Sequence, residues 1–218
     1  MVIPCFLWRF QRYVYAVDRD VYAVDMAGAD TAARITAAAR AILVAEGAAA
    51  VSMRKVAAEA GITPMATYRH FSNREVLLRT VAEECLRELD SEWASRVAIA
   101  DPQARILALL DDFLDFALGT PHLYAYVMAD RRESARRFPE DFHIGQSSAF
   151  PRLMEAIELG MRKDFLRPDD VVEAALTISA LVQGLIQLYL VGRIGLDEAD
   201  FRALCHRSVK RTLRGLAQ

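Results

Sequence analysis

Apolar residues recur along most of this chain at every third or fourth position, which is the spacing that places them on one face of an α-helix. A first helix is predicted from Thr31 to Glu46, with Asp30 as its cap and Gly47 as its end. Its buried stripe consists of Ile35, Ala38, Ala39, Ile42 and Leu43. The same spacing continues through later segments, so the sequence predicts an all-α fold.

Two short helices separated by a tight turn are predicted next. Ser52 can cap the first of them, and Gly61 supplies the left-handed residue that ends it. Thr63 then caps the second helix, whose first position is Pro64, where a missing N–H has no cost because that group would be unpaired. Two helices joined by a three-residue turn that contains glycine describe a helix-turn-helix.

The second of these helices, Pro64–His70, contains few large aliphatic residues, which predicts that it faces something other than a core. Ser72 and Glu75 form a capping box that predicts the start of a further, long helix. That helix continues, with no Gly or Pro before Pro102, through Val81, Leu86, Leu89 and Trp93. It is long enough to connect a small head domain to a larger body.

Four groups of residues in this region, in this order, resemble the DNA-binding domain of the TetR family of transcriptional repressors. They are Ser52-Met53-Arg54-Lys55-Val56-Ala57, Ala60-Gly61-Ile62-Thr63, Tyr68-Arg69-His70-Phe71 and Asn73-Arg74-Glu75-Val76-Leu77. The resemblance implies a three-helix DNA-binding head at residues 30–78 and a helical effector-binding and dimerisation body at 79–218. It further implies a ligand-responsive repressor that binds an inverted-repeat operator as a homodimer, and that a small effector releases.

The body is predicted to be helical throughout. Asp101 and Pro102 open a helix that ends near Gly119, Thr120 and Pro121 open a short one, and residues 131–141 form a loop or an irregular helix. Further helices are predicted at 146–163, 171–191 and 197–216. The family resemblance implies that the last two pair with their copies in a dimer. Residues 171–191 are apolar enough that a membrane-spanning helix has to be considered as an alternative. Because the segment contains Glu173, Gln183 and Gln187, a helix that is covered by a partner subunit is favoured.

Charge separates the two parts of the chain more clearly than its net value of −2 suggests. Residues 30–80 carry seven Lys or Arg against four Asp or Glu, which gives +3, whereas residues 81–218 carry seventeen against twenty-two, which gives −5. A basic head on an acidic body suits a protein that presents one end to phosphates. The three cysteines are odd in number and far apart, which favours a reducing cytoplasm over a disulfide framework.

Catalytic and metal-binding chemistry is not indicated. The four histidines lack i,i+4 pairing and lack a cysteine at metal-ligand spacing, so no metal site and no cofactor is predicted. Nucleophile or acid–base spacing and a Gly-rich phosphate loop are also missing, which disfavours an enzyme. The alternative that stays open is a helical ligand-binding or interaction protein without DNA binding.

The resemblance implies which residues contact DNA. Arg54 is the candidate for reading a guanine, because its fork matches the O6 and N7 acceptors, with an ordinary solvated arginine as the alternative. Tyr68 matches a family phosphate contact, with a partly buried ring as its alternative. Residues expected at the leading end of the recognition helix are Thr63, Pro64, Met65 and Ala66. The remaining expected DNA contacts are Ser52, Arg69, His70 and Arg74.

An effector pocket is expected in the body and would take an apolar molecule, aromatic ones included. Aromatic residues and methionines at helical spacing also form ordinary cores, and that alternative stays open for each candidate. The candidates are Trp93, Phe113, Phe116, Tyr124, Met128, Phe150, Met154 and Gln183.

Residues 1–29 are interpreted as a disordered extension or as the result of a mis-assigned start, with Met26 as the true one. They contain a direct repeat, Val-Tyr-Ala-Val-Asp at 14–18 and again at 21–25. A period of seven codons is 21 base pairs, close to two turns of B-DNA at about 10–10.5 base pairs per turn. The genetic code also permits the DNA that encodes each copy to be an inverted repeat. One hypothesis is therefore that these codons are promoter DNA that carries the operator, and the alternative is an extension without function.

Overall fold

A computed structural model describes residues 26–129 and 149–217, and the fold within these ranges is all-α, which confirms the prediction. The nine α-helices of the described ranges are α1 (Met26–Glu46), α2 (Met53–Glu59), α3 (Pro64–His70), α4 (Arg74–Trp93), α5 (Pro102–Gly119), α6 (Pro121–Tyr124), α7 (Ala149–Arg162), α8 (Val171–Leu190) and α9 (Glu198–Gly215). Short 3₁₀ turns lie at Ala48–Ala50 and Ala94–Ala98, and a π-helical turn, Ala125–Ala129, follows α6.

The described residues divide into two compact units. The head unit comprises residues 26–84 and 115–129, and the body unit comprises residues 85–114 and 149–217. The head unit is thus larger than the head domain of residues 30–78 that the sequence predicts, because α6 and the end of α5 belong to it. That domain boundary remains a prediction, and residues 1–25 and 131–141 lie outside the described ranges.

The head unit is built around α1, which packs against α2, α3 and α6. Side chains from successive helices meet in its core and exclude water, which is the main source of its stability. The fully buried ones include Ile35, Leu43, Val56, Leu77 and Leu123. The stripe of α1 that the sequence predicts is therefore the face on which the helix-turn-helix rests.

The ends of the head helices follow local capping chemistry. The Ser52 hydroxyl accepts a hydrogen bond from the Lys55 N–H, and the Thr63 hydroxyl accepts one from the Ala66 N–H, each at 3.2 Å. Gly61 has a φ of +66°, a left-handed conformation that a side chain would strain. These three predictions for the helix-turn-helix are confirmed.

Two helix starts differ from the prediction. Helix α1 begins at Met26, so Asp30 lies inside it and does not cap it, because alanine-rich sequence tolerates one glycine in a helix. The cap of α4 is Asn73, whose Oδ1 accepts from the Val76 N–H at 2.8 Å. The predicted capping box from Ser72 is therefore wrong by one residue, since Asn is as good a cap as Ser.

The core of the body unit is formed by the second half of α4 and the first part of α5 together with α7, α8 and α9. Tyr189 and Phe201 stack with ring centroids 4.0 Å apart and close the α8–α9 hairpin. Asp101, Asp170 and Asp197 cap α5, α8 and α9 by accepting backbone N–H groups over 2.7–2.9 Å. The predicted helices at 171–191 and 197–216 are confirmed to within one residue at each end.

Charged pairs join the body helices to one another. Arg152 of α7 donates to both carboxylate oxygens of Asp90 on α4 at 2.8 and 3.3 Å. His206 of α9 lies with Nε2 at 2.6 Å from Oδ1 of Asp111 on α5. The carboxylate of Asp90, together with that of Glu155, raises the pKa of the Arg152 guanidinium, against a smaller opposing effect of burial.

Candidate nucleic-acid interface

Helix α3 exposes nearly all of its side chains, although it packs against α1 and α2. Thr67 is its one buried residue. Met65 is 68% exposed and Tyr68 is 51% exposed, which makes them two of the most exposed large hydrophobic residues in the described chain. The alternative of a partly buried ring for Tyr68 is thereby disfavoured. A solvated helix that presents apolar side chains is suited to contact a partner surface.

The exposed residues of α2 and α3 bring several polar groups to the same part of the head unit. Arg54 is exposed at the first turn of α2, and Arg69 and His70 are exposed in the last turn of α3. The neighbouring Lys55 differs from Arg54, since its Nζ lies 2.6 Å from both carboxylate oxygens of Glu46. The charge of Lys55 is thus already balanced, although the two residues look equivalent in the sequence.

Arg74 is engaged inside the head unit. Its Nε donates to the Val51 carbonyl at 2.8 Å, its Nη2 donates to the Ala48 carbonyl at 2.5 Å, and its Nη1 lies 3.1 Å from the Glu75 carboxylate. These contacts tie the start of α4 to the segment between α1 and α2. The arrangement suits a residue that positions the helix-turn-helix better than one that contacts phosphate.

Arg34 of α1 contacts the turn of the helix-turn-helix. Its Nη2 donates to the carbonyl of Ala60, the residue that ends α2, at 2.5 Å. The same nitrogen lies 3.6 Å from where a Cβ on Gly61 would stand. A carbonyl at the C-terminal end of a helix lacks an intrahelical donor, so a guanidinium is a favourable partner there. Arg34 therefore fixes the turn against α1.

His122 of α6 makes a similar contact at the other end of α1. Its Nδ1 lies 3.3 Å from the carbonyl of Val44, and its ring lies over Gly47, whose φ of +85° ends the helix. Sequence reasoning missed Arg34 and His122 as structural partners of the head. Their partners are 26 and 78 positions away, and no local pattern identifies contacts of that range.

The effector candidates fall into both units. Trp93 and Phe113 pack edge to face in the body unit with ring centroids 6.2 Å apart, and Met154 is buried in the same unit, which also contains Phe150 and Gln183, both half-buried. Phe116, Tyr124 and Met128 belong to the head unit. Burial raises the pKa of the Tyr124 phenol to about 12, which marks this ring as core.

Two protein-family models match the chain. A model of bacterial regulatory proteins of the tetR family matches residues 35–81, which include all of α2 and α3. A model of the tetracyclin repressor-like C-terminal domain matches residues 106–212, from α5 into α9. The chain belongs to the TetR family of transcriptional regulators. The helix-turn-helix of residues 52–70 is accordingly its DNA-binding element.

Solved structures share the fold along most of the chain. One is a protein with unknown function from Rhodococcus sp. RHA1, with 24% identity, a TM-score of 0.72 and coverage of 92% of this chain and 100% of that one. The regulator FadR from Bacillus subtilis in complex with stearoyl-CoA has 16% identity, a TM-score of 0.66 and coverage of 85% and 97%. RolR in complex with resorcinol has 18% identity, a TM-score of 0.58 and coverage of 89% and 91%. At these identities the likeness shows the fold alone.

Proposed function

We propose that this TetR-family regulator is a cytoplasmic repressor that binds an inverted-repeat DNA operator as a homodimer and dissociates when a small apolar effector binds. The observation that carries the proposal is the exposure of α3, in which Met65 and Tyr68 face solvent while Thr67 alone is buried. A helix of this kind between two capped turns is the element that enters the major groove in helix-turn-helix proteins.

Several exposed groups of the head have a role in this proposal. Arg54 reads a guanine, and Thr63, Pro64, Met65 and Ala66 form the tip that enters the groove. Pro64 and Met65 lack hydrogen-bonding side chains, so they contact thymine methyl groups. Phosphates are contacted by Ser52, Tyr68, Arg69 and His70. The Arg74 contact implied by the family is replaced by a positioning role, since its donors already meet backbone carbonyls.

The face of α8 supports a homodimer. Only five of its 20 residues are buried within the chain, although the helix is apolar along its length. Leu188 and Val191 are 42% and 55% exposed, and Gly184 has nothing within 4 Å of the position a Cβ would take. Among the described residues α8 is the one helix long and apolar enough to cross a membrane. With Gln183 and Gln187 on it, a second copy of the chain is the better cover.

The effector is proposed to bind in the body unit, beside Trp93, Phe113 and Met154. The relatives that hold stearoyl-CoA and resorcinol support a body that accommodates apolar or aromatic molecules. Helix α4 is continuous from residue 74 in the head unit to residue 93 in the body unit. If the DNA-binding and the non-binding conformations differ in the placement of α4, a ligand that prefers the non-binding one lowers operator affinity. The reduction cannot exceed the ratio of the ligand's affinities for the two conformations.

Selection from random-sequence duplexes tests the DNA-binding part. We expect the wild-type chain to retain a specific duplex whose affinity falls steeply with salt, because phosphate contacts release counterions. Met65→Glu should abolish retention and leave the melting temperature unchanged, since the side chain is exposed. Val97→Glu, at a residue that is 45% exposed in the body unit, is the matched control and should bind normally. Salt-independent or absent retention by the wild type would refute the proposal.

A further inference from the structure

The chemistry of the exposed head surface restricts the DNA sequence it can read. Arg54 is the exposed guanidinium of α2, and the leading end of α3 is apolar, with Met65 at 68% exposure. A guanidinium pairs with the O6 and N7 of guanine, and an apolar side chain contacts the methyl group of thymine. A half-site that suits this surface therefore has G·C pairs interspersed with A·T pairs.

A candidate for that half-site lies in the gene of this protein. Val-Tyr-Ala-Val-Asp occurs at residues 14–18 and again at 21–25. These residues lie outside the described ranges, and their codons, rather than their conformation, are what matters. The period of seven codons is 21 base pairs, about two turns of B-DNA at about 10–10.5 base pairs per turn. The two copies are thus presented on the same side of the double helix.

Each copy can be an inverted repeat. The codons GTC TAC GCN GTA GAC encode Val-Tyr-Ala-Val-Asp, and the last six bases, GTAGAC, are the reverse complement of the first six, GTCTAC. Only the second bases of these codons complement one another whatever the codon choice, and the symmetry requires one particular base at the third position of each Val, Tyr and Asp codon. Building on the proposed function, we propose that the codons of residues 14–25 carry two copies of the operator that this regulator binds.

The proposed operator fits the head surface in composition and in spacing. Each six-base arm contains three G·C pairs and three A·T pairs, which offers Arg54 guanines and Met65 thymine methyl groups. The centres of the two arms are nine base pairs apart, because three bases separate arms of six. Half-sites of helix-turn-helix dimers lie about one turn, roughly 10–10.5 base pairs, apart. One dimer therefore fits each copy, and two dimers fit the tandem pair.

Such an operator gives the regulator control of its own gene. A dimer bound at these codons covers DNA of the regulator's own gene and obstructs its transcription. Repression then increases with the amount of protein and is relieved by the same effector that releases the dimer elsewhere.

Reading the codons of residues 14–25 in the gene is the first test, and third bases that break the two arms would overturn the proposal. The second test is fluorescence anisotropy of the full-length protein with three duplexes at one salt concentration. These are a single copy in flanking DNA, the tandem pair, and a duplex of equal composition with scrambled arms. We expect affinity for the single copy at least about 1,000-fold above that for the scrambled duplex. The tandem pair should bind two dimers.

The outcomes separate this proposal from the one on which it rests. Affinity for the single copy equal to that for the scrambled duplex, with selection from random DNA yielding another sequence, would overturn the operator and leave the proposed function standing. Failure to retain any duplex in a salt-dependent way would overturn the proposed function itself. Arg54→Ala should reduce the preference for the single copy by about 30-fold or more, because the dimer loses one contact with guanine in each half-site. An unchanged preference would contradict the fit described for Arg54.

Discussion

Arg74 donates a hydrogen bond from Nε to the carbonyl oxygen of Val51 across 2.8 Å. A second donor of the same guanidinium, Nη2, reaches the carbonyl of Ala48 at 2.5 Å, and Nη1 faces Glu75. These carbonyls belong to the short segment between α1 and α2, and Arg74 is the first residue of α4. One side chain therefore fixes the linking helix to the base of the helix-turn-helix.

Replacing Arg74 with Lys should lower stability without removing a phosphate contact. A lysine keeps the charge but has no planar fork, so it cannot serve both carbonyls at once. We expect a loss of about 0.5–1.5 kcal/mol in the free energy of unfolding, the net value of one hydrogen bond, because the Ala48 carbonyl also accepts from the Val51 N–H. The logarithmic dependence of DNA affinity on salt should keep its slope. Urea unfolding and a salt series of binding measurements check the two parts.

Arg69→Ala is the matched comparison, because Arg69 is exposed near the end of α3. This substitution removes one phosphate contact from each protomer of the dimer, so it should reduce the salt slope by about 1.8 and leave stability nearly unchanged. If Arg74→Lys instead weakened binding with unchanged stability, or Arg74→Ala reduced the salt slope as Arg69→Ala does, Arg74 would be a phosphate contact after all.

Arg54 and Lys55 are neighbours with different expected roles. Lys55 is paired with Glu46 at 2.6 Å, whereas Arg54 is exposed on the same helix. Arg54→Ala should lose about 2–6 kcal/mol of discrimination between the operator and a scrambled duplex, because the dimer loses one bidentate contact with guanine in each half-site. Lys55→Ala should leave discrimination unchanged, since it removes only a balanced surface charge. Competition binding with the two duplexes measures both, and equal effects would refute the distinction.

Helix caps and turns, which depend on residues close in the sequence, could be predicted from the sequence. Side-chain contacts between residues far apart in the sequence could not. The caps at Ser52 and Thr63 and the turn at Gly61 depend on residues within one helical turn, and they are as predicted. The choice between Ser72 and Asn73 as the cap of α4 was missed because both residues have suitable oxygens. Resemblance gave Arg74 a role from its position, but its contacts depend on where the chain brings residues 48 and 51.

The same reasoning applies to the surface of the head. The sequence shows that Arg54 and Lys55 are both basic and adjacent, and only the position of Glu46 distinguishes them. Seven of the eight effector candidates are aromatic residues or methionines, yet Phe116 and Tyr124 form an edge-to-face pair in the head unit. Apolar composition predicts burial well, but it does not separate a packed core from a surface that receives a ligand.

Stability should fall at alkaline pH because of Cys205. This thiol is fully buried, and burial raises its pKa from an ordinary value near 9 to about 11, against a smaller lowering by Arg202. The folded state then holds the proton more tightly than the unfolded state does. The contribution to stability is fully present below pH 9 and is lost as the pH rises to about 11.

Cys205→Ala removes this group and isolates its effect. Between pH 8 and pH 10 we expect the wild type to lose about 1–2 kcal/mol more than the variant does, because each unit of pKa shift corresponds to about 1.4 kcal/mol. Urea unfolding at the two pH values gives the loss of unfolding free energy for each protein. The cost of the cavity left by the substitution is the same at both pH values, so it does not contribute to the loss. Equal losses in the two proteins would show that Cys205 does not titrate in this range.

Leu188 decides whether the exposed face of α8 is a subunit interface. It is 42% exposed on a helix of which only five of 20 residues are buried within the chain, and Val97, at 45% exposure, lies elsewhere in the same unit. A charge buried between two copies without a partner is strongly unfavourable, whereas a charge in water is not. Leu188→Glu should therefore shift the sedimentation coefficient to that of a monomer and abolish operator binding, and Val97→Glu should remain dimeric. A dimer that persists in Leu188→Glu would place the interface on another surface.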